Sequence, residues 1–258
     1  MFTPCRRMCS LVSALRDIAV DSQMWPVVVP RQMYLPTYNV GGTECMVLSR
    51  DDATSWVIYC HGNAVTLADL HASGIPQTIV QNCRCNFVAP AYPSRQHQGQ
   101  RHDHDVVTAV RGAYDELRRA DSAPVYVMGR SIGVGVALAA CVHDPPAGLG
   151  LVSGFASLKN LVPWPLRWVV NNRFDNLHMM AAMKSVPAFV MHGEKDEVVP
   201  VDNARKLASK TCNLDIVANM THTPDAQQVA LIGKHMADLM RDVHVPCENH
   251  FNLWSPRV

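Results

Sequence analysis

Residues 125–135 read Val-Tyr-Val-Met-Gly-Arg-Ser-Ile-Gly-Val-Gly, an apolar strand that passes through Gly129-Arg130-Ser131-Ile132-Gly133 into a helix of small residues. A chain that turns from strand to helix within two residues has no room for a Cβ at the flanking positions, which accounts for both glycines. The turn sets Ser131 at the N-terminal end of the helix. There, N–H groups without intrahelical partners and the helix dipole favour developing negative charge. A serine on such an elbow is a candidate nucleophile, and its Oγ is the candidate reacting atom.

On either side of this turn, strand-like and helix-like segments alternate, the signature of a mostly parallel sheet covered on both faces. Short opening strands are expected at Val27–Val29 and Cys45–Leu48, joined through the Gly41-Gly42 turn. Trp56–Cys60 is expected as a buried strand, Leu67–Gln81 as a helix kinked or interrupted at Pro76, and Asn86–Ala89 as the next strand. Val106, Val107, Val110, Tyr114 and Leu117 share one face of a helix over Asp103–Arg119. Beyond the elbow helix, Ile132–Val142, strands are expected at Leu149–Val152, Ala188–Met191 and Leu214–Ala218. Helices are expected at Asp202–Ser209 and Asp225–Met240. Phe155–Met183 is irregular and rich in tryptophan and proline; Trp164, Leu166 and Trp168 there suit either an acyl-pocket wall or core anchors of a short cap.

The 258 residues, 48% hydrophobic and 17% charged, suit one large α/β domain with a well-buried core. A formal net charge of +1 offers no electrostatic footprint for nucleic acid. Nine cysteines without zinc-type spacing read as mostly reduced thiols of a cytoplasmic protein. Domain boundaries are expected at 1–22 for an N-terminal segment, 23–245 for the main domain and 246–258 for a tail. Cys5 and Cys9 flank Arg6 and Arg7 ahead of Leu11, Val12, Leu15, Ile18 and Ala19. That arrangement reads either as an S-acylated anchor for peripheral membrane attachment or as an ordinary helix with free thiols.

A serine hydroxyl becomes nucleophilic only when a base takes its proton, and the base needs a third group to hold its tautomer. Downstream of Ser131, His192-Gly-Glu-Lys-Asp196 follows one expected strand and Asn219-Met-Thr-His222 follows the next. The order serine, acid, histidine, each at a strand end, makes Ser131, Asp196 and His222 a candidate triad, with Glu194 as the weaker alternative acid. The Ile132 N–H and the Asn63 N–H, in the loop His61-Gly62-Asn63-Ala64, are the candidate oxyanion donors. His61 itself is read as structural. His102-Asp-His-Asp105 reads as polar residues at a helix start rather than a metal site, since i and i+2 side chains diverge on a helix. No metal and no cofactor are expected.

Four stretches together resemble the Bem46-like alpha/beta-hydrolase-domain proteins, and within them the membrane-attached protein depalmitoylases. These are His61-Gly-Asn-Ala-Val65, Gly129-Arg-Ser-Ile-Gly133, Arg173-Phe-Asp-Asn176 and Ser185-Val-Pro-Ala-Phe-Val-Met-His-Gly-Glu-Lys-Asp-Glu-Val198. The likeness covers about residues 40–242. It implies an α/β-hydrolase fold with a mostly parallel, doubly wound sheet and a short irregular cap segment. It also implies Ser131, Asp196 and His222 as the triad, and an N-terminal cysteine cluster that is acylated. The chain departs from the family pattern in two places. Tyr92–Gly99 replaces an aromatic-x-Gly-x-Gly turn, and Thr221-His222-Thr223-Pro224 replaces Gly-His-Asn-Asp. The expected function is a serine hydrolase of acyl esters or thioesters acting on an acylated protein or a small acyl ester. Palmitate removal from protein cysteines is the first reading, carboxylesterase or serine peptidase the second, and a non-catalytic hydrolase-fold scaffold the reading of another class.

Overall fold

The computed structural model of this chain describes residues 37–92, 102–161, 174–208 and 213–242. Eight strands form one sheet: β1 (Thr37–Val40), β2 (Thr43–Leu48), β3 (Ser55–Cys60), β4 (Cys85–Pro90), β5 (Val125–Arg130), β6 (Gly148–Val152), β7 (Ala188–Gly193) and β8 (Asn213–Val217). Their spatial order is β1-β2-β4-β3-β5-β6-β7-β8. The first three are joined antiparallel, and every pairing from β4 to β8 is parallel. Parallel neighbours require crossovers, and the helices supply them: α1 (Leu67–Ala72), α2 (Ile75–Cys83), α3 (His102–Ala120), α4 (Ile132–Cys141), α5 (Asn176–Ala182), α6 (Asp202–Ala208) and α7 (Ala226–Asp242).

Both faces of the sheet are covered, so its central strands are buried throughout rather than alternating. On one face Val106, Val110, Tyr114 and Leu117 of α3 join α4 and the sheet residues Ile58, Val88 and Val127. On the other, Leu70, Ile75 and Ile79 meet Val229, Ile232 and Met236 of α7 over Tyr59, Phe87 and Met128. Helix α4 is apolar all round and almost wholly buried, as expected for a helix enclosed between sheet and neighbours. Phe174 seats its ring on Gly135 of α4, where a Cβ would come within 2.7 Å of that ring. Burial of such a side chain contributes about 1.5–3 kcal/mol.

The structure corrects the expected elements in two places. The Gly41-Gly42 turn joins Thr37–Val40 to Thr43–Leu48, so the strand before it is an exposed edge strand nearer than Val27–Val29, which lies outside the described residues. The helix expected over Leu67–Gln81 is two helices, and the break falls at Ser73-Gly74 rather than at Pro76. Pro76 instead occupies the first turn of α2, where its missing N–H has no partner to lose. Thr66 and Asp69 form a reciprocal capping box that starts α1.

Cys5, Cys9, Trp164, Leu166 and Trp168 lie outside the described residues, so the anchor and cap readings attach to parts of the chain not described. Cys45, Cys60, Cys83, Cys85 and Cys141 are buried free thiols. Burial pushes Cys45 and Cys141 each up to about 12, which leaves them protonated and inert at neutral pH. Among the described residues, no helix is long and apolar enough to cross a membrane.

Candidate active site

Because β3, β5, β7 and β8 run parallel, their C-terminal ends lie along one edge of the sheet. The His61–Ala64 loop leaves β3, Ser131 follows β5, Asp196 follows β7 and His222 follows β8. Open α/β sheets bind ligands in the crevice outside this edge. Backbone strain gathers at the same edge. Of the five described non-glycine residues with positive φ, four (Ala64, Ser131, Ser153 and Asn219) follow β3, β5, β6 and β8. Such conformations cost on the order of 1–3 kcal/mol each and persist only where the surroundings enforce them.

Ser131 has φ 56° and ψ −123°, and its N–H donates to the Val152 carbonyl at 2.9 Å. The flanking glycines are dictated by close backbone approach. A Cβ on Gly129 would stand 2.4 Å from the Gly133 carbonyl oxygen, and one on Gly133 would stand 2.0 Å from that of Cys60. With its own N–H committed to β6, Ser131 leaves Ile132 as the residue that opens α4, whose first N–H groups have no intrahelical acceptor.

The serine hydroxyl lies 3.0 Å from His222 Nε2, and His222 Nδ1 lies 2.8 Å from Asp196 Oδ2 and 3.0 Å from Oδ1. Nδ1–H donating to the carboxylate leaves the Nε2 lone pair to accept the serine proton. The imidazole is only 15% exposed and the carboxylate fully buried. Asp196 is well supplied with donors: Oδ1 accepts the Val198 and Val199 N–H groups at 2.9 and 2.8 Å. His192 Nε2 stands 3.3 Å from Oδ2 while donating to the Val199 carbonyl at 2.8 Å. Burial alone would raise the Asp196 carboxyl, but the hydrogen bonds from His192, His222 and Val199 outweigh it and hold it far below the usual carboxylate range. Asp196 is thus an anion at neutral pH.

The His61–Ala64 loop runs beside Ser131: a Cβ on Gly62 would lie 3.7 Å from Ser131 Cβ. Asn63 follows directly on that point of approach. His61 is tied into this loop and to Tyr92. Its ring stacks on Tyr92 at 3.8 Å, its Nδ1 lies 3.1 Å from the Gly62 carbonyl, and Tyr92 Oη donates to the His61 carbonyl at 2.9 Å. Glu194 is exposed, its N–H bonded to the Val217 carbonyl, and the carboxylate that meets His222 is that of Asp196. His235 lies in α7, paired with Asp215 at 2.8 Å. His102–Asp105 opens α3, as expected for a helix start.

Sequence reasoning assigns no role to His192 or Arg130, which the structure places against Asp196 and His222. Arg130 Nη2 donates to the His222 carbonyl at 2.8 Å and lies 3.4 Å from Thr223 Oγ1. Neither contact has a local sequence signal, since Arg130 and His222 are 92 residues apart.

Burial of His61 has a measurable consequence. It lowers the imidazole to about 4, against hydrogen bonds at the Gly62 and Pro90 carbonyls that act to raise it. An unfolded histidine takes up its proton near pH 6.5. The stabilisation is therefore complete above pH 6.5 and is lost as pH falls toward 4, by at most about 1.4 kcal/mol per pH unit. Urea unfolding of wild type and His61→Asn across pH 4–8 checks this: the wild type loses more stability than the variant on acidification. Equal slopes would contradict it. The depressed Asp196 carboxyl adds a second loss only below its unfolded value near 4.

No family model matches the chain. Two uncharacterized proteins of Mycobacterium tuberculosis, from strains CDC 1551 / Oshkosh and ATCC 25618 / H37Rv, are each 32% identical over 168 residues, 59% of this chain and 56% of theirs. The chain thus matches little more than half the length of these curated relatives. Among solved structures, TT1662 from Thermus thermophilus superposes with a TM-score of 0.63 at 16% identity, over 82% of this chain and 98% of that one. An esterase/lipase from an uncultured bacterium gives 0.62 at 15% identity, over 92% and 99%. A hormone-sensitive lipase from a metagenome library gives 0.62 at 15%, over 93% of each chain. With the sheet order and the elbow, these likenesses give the fold: the chain has the α/β-hydrolase fold.

Proposed function

We propose that this chain is a serine hydrolase that cleaves acyl esters or thioesters through an acyl-enzyme. The observation that carries the proposal is the unbroken relay of Ser131 Oγ, His222 Nε2 and Nδ1, and Asp196, with links of 3.0 and 2.8 Å. Ser131 Oγ attacks the acyl carbonyl carbon while His222 Nε2 takes the hydroxyl proton. The carbonyl oxygen becomes an alkoxide, received by the N–H groups of Ile132 and Asn63 in their proposed role. Collapse breaks the bond to the leaving oxygen or sulfur, which receives the proton from His222, and the acyl group stays on Ser131. Water then repeats the sequence: His222 takes its proton, hydroxide attacks the acyl carbon, and Ser131 leaves with the proton returned. Throughout, Asp196 fixes the imidazole tautomer and offsets its transient charge.

The preferred substrate class is a long-chain acyl thioester on protein cysteine. It is supported by the likeness of the His61–Val65, elbow and Ser185–Val198 stretches to the depalmitoylases. A small-substrate carboxylesterase is the second reading, favoured by the esterase and lipase folds on which the chain superposes. An acyl-chain series from acetyl to palmitoyl, as p-nitrophenyl esters and as peptide thioesters, separates them. The first reading predicts kcat/KM rising about tenfold or more from four to sixteen carbons, from the apolar surface buried by added methylenes. A profile that peaks at two to four carbons would overturn it in favour of the second.

A further inference from the structure

We infer that Arg130, the residue before the nucleophile, is a positioning residue that ties the loop of the base to the elbow. The inference rests on the hydrolase reading for its effect on rate, and on geometry alone for the tie itself. Residues 219–225 form a loop that is exposed except for buried Met220 and half-buried His222 and Pro224. This loop is held by Met220 N–H to the Val217 carbonyl at 3.3 Å, Lys195 N–H to the Met220 carbonyl at 3.0 Å, Thr221 Oγ1 to the Thr223 carbonyl at 3.2 Å, and bonds of Asp225 to Gln228 and Val229 at its far end. None of them fixes the peptide of His222. Arg130 Nη2 does, donating to the His222 carbonyl at 2.8 Å. A hydrogen bond from an ionised donor is roughly twice as strong as a neutral one.

The guanidinium reaches the other side of the site as well. A Cβ on Gly62 would lie 3.3 Å from Arg130 Nη1, so the group is wedged between the loop that borders Ser131 and the loop that carries His222. Thr223 Oγ1 lies 3.4 Å from Nη2 on the second loop. Among the described residues no carboxylate pairs with Arg130, and its buried Nε has no hydrogen-bond partner. A surface salt bridge therefore does not account for this arginine. What it satisfies is the main chain of the base, from a position one peptide away from the nucleophile. Ser131 and His222 are thereby linked twice, through the hydroxyl–imidazole bond and through the Arg130 side chain, while Asp196 restrains only the ring.

The experiment compares wild type, Arg130→Met and Arg130→Lys in two readouts. The first is the rate of covalent labelling by a fluorophosphonate, with kcat and KM on a p-nitrophenyl ester. The second is amide hydrogen exchange over residues 218–224, which needs no activity. Loss of the tie is expected to lower labelling and kcat by about 10- to 100-fold with KM within about twofold, the scale of a small misplacement of a catalytic group. Exchange in the loop should rise. Arg130→Lys, which keeps the charge and one donor, should fall between, and it also carries the test if the methionine variant does not fold. Unchanged exchange in a folded variant would overturn the inference, as would unchanged labelling beside an active wild type, which leaves the hydrolase reading intact. A wild type that does not label would overturn the hydrolase reading, and the exchange result then decides the tie by itself.

Discussion

Ser131→Ala is expected to lower the turnover of an acyl ester by roughly 10⁶-fold, about 8 kcal/mol of transition-state stabilisation. The effect is this large because the substitution removes the atom that would form the acyl-enzyme, and His222 then has no hydroxyl to deprotonate. KM should change little, since the hydroxyl forms its bond to substrate only during reaction. The fold should be unaffected: the backbone N–H of residue 131 keeps its bond to the Val152 carbonyl, and alanine introduces no atom that serine lacks. Steady-state kinetics on p-nitrophenyl esters, with thermal unfolding as the control, give the answer. A loss of less than about tenfold in a folded variant would mean that another group performs the attack.

Asp196→Asn is expected to lower kcat by about 10³- to 10⁴-fold while leaving the backbone in place. Its carboxylate accepts from Val198, Val199 and His222 and has His192 Nε2 within 3.3 Å, so every neighbour is a donor. Asparagine supplies one oxygen and one NH₂. If the oxygen stays on the Val198 and Val199 N–H groups, the NH₂ faces His222 Nδ1 and drives the ring to its other tautomer. Nε2 then carries a hydrogen and no longer accepts the Ser131 proton. The two variants differ in one further respect: Asp196→Asn retains Ser131 and should still label, slowly, with a fluorophosphonate. The pH profile of kcat/KM in wild type should show no limb from Asp196, since its carboxyl is held far below the usual carboxylate range. Rates of the asparagine variant within tenfold of wild type would contradict the assigned role.

Much of this arrangement was legible from residue order alone, for identifiable physical reasons. The elbow announces itself because only glycine fits where Gly133 meets the Cys60 carbonyl. The strands that carry Ser131 and Asp196 are buried on both faces and so read as continuous apolar runs. Thr37–Val40 gave no such signal, being a short, largely exposed edge strand with a polar sequence. Pro76 suggests an interruption because proline in a helix interior is disruptive; at the start of a new helix it is not, and the break falls at Ser73-Gly74. Thr221-His222-Thr223-Pro224 departs from the Gly-His-Asn-Asp pattern. The structure brings His222 Nε2 to 3.0 Å from Ser131 Oγ, with the His222 carbonyl bonded to Arg130. Contacts such as that one depend on which loops the fold brings together, and no local pattern encodes them, whereas His192 and Asp196 lie four residues apart in one strand-end segment.

The most direct test of the account is covalent. Native protein treated with a fluorophosphonate, followed by intact-mass measurement and peptide mapping, should carry one adduct, on the Ser131 Oγ, and Ser131→Ala should carry none. A folded wild type that acquires no adduct, or an adduct that persists in Ser131→Ala, would contradict the central claim that Ser131, His222 and Asp196 form an acyl-transfer site.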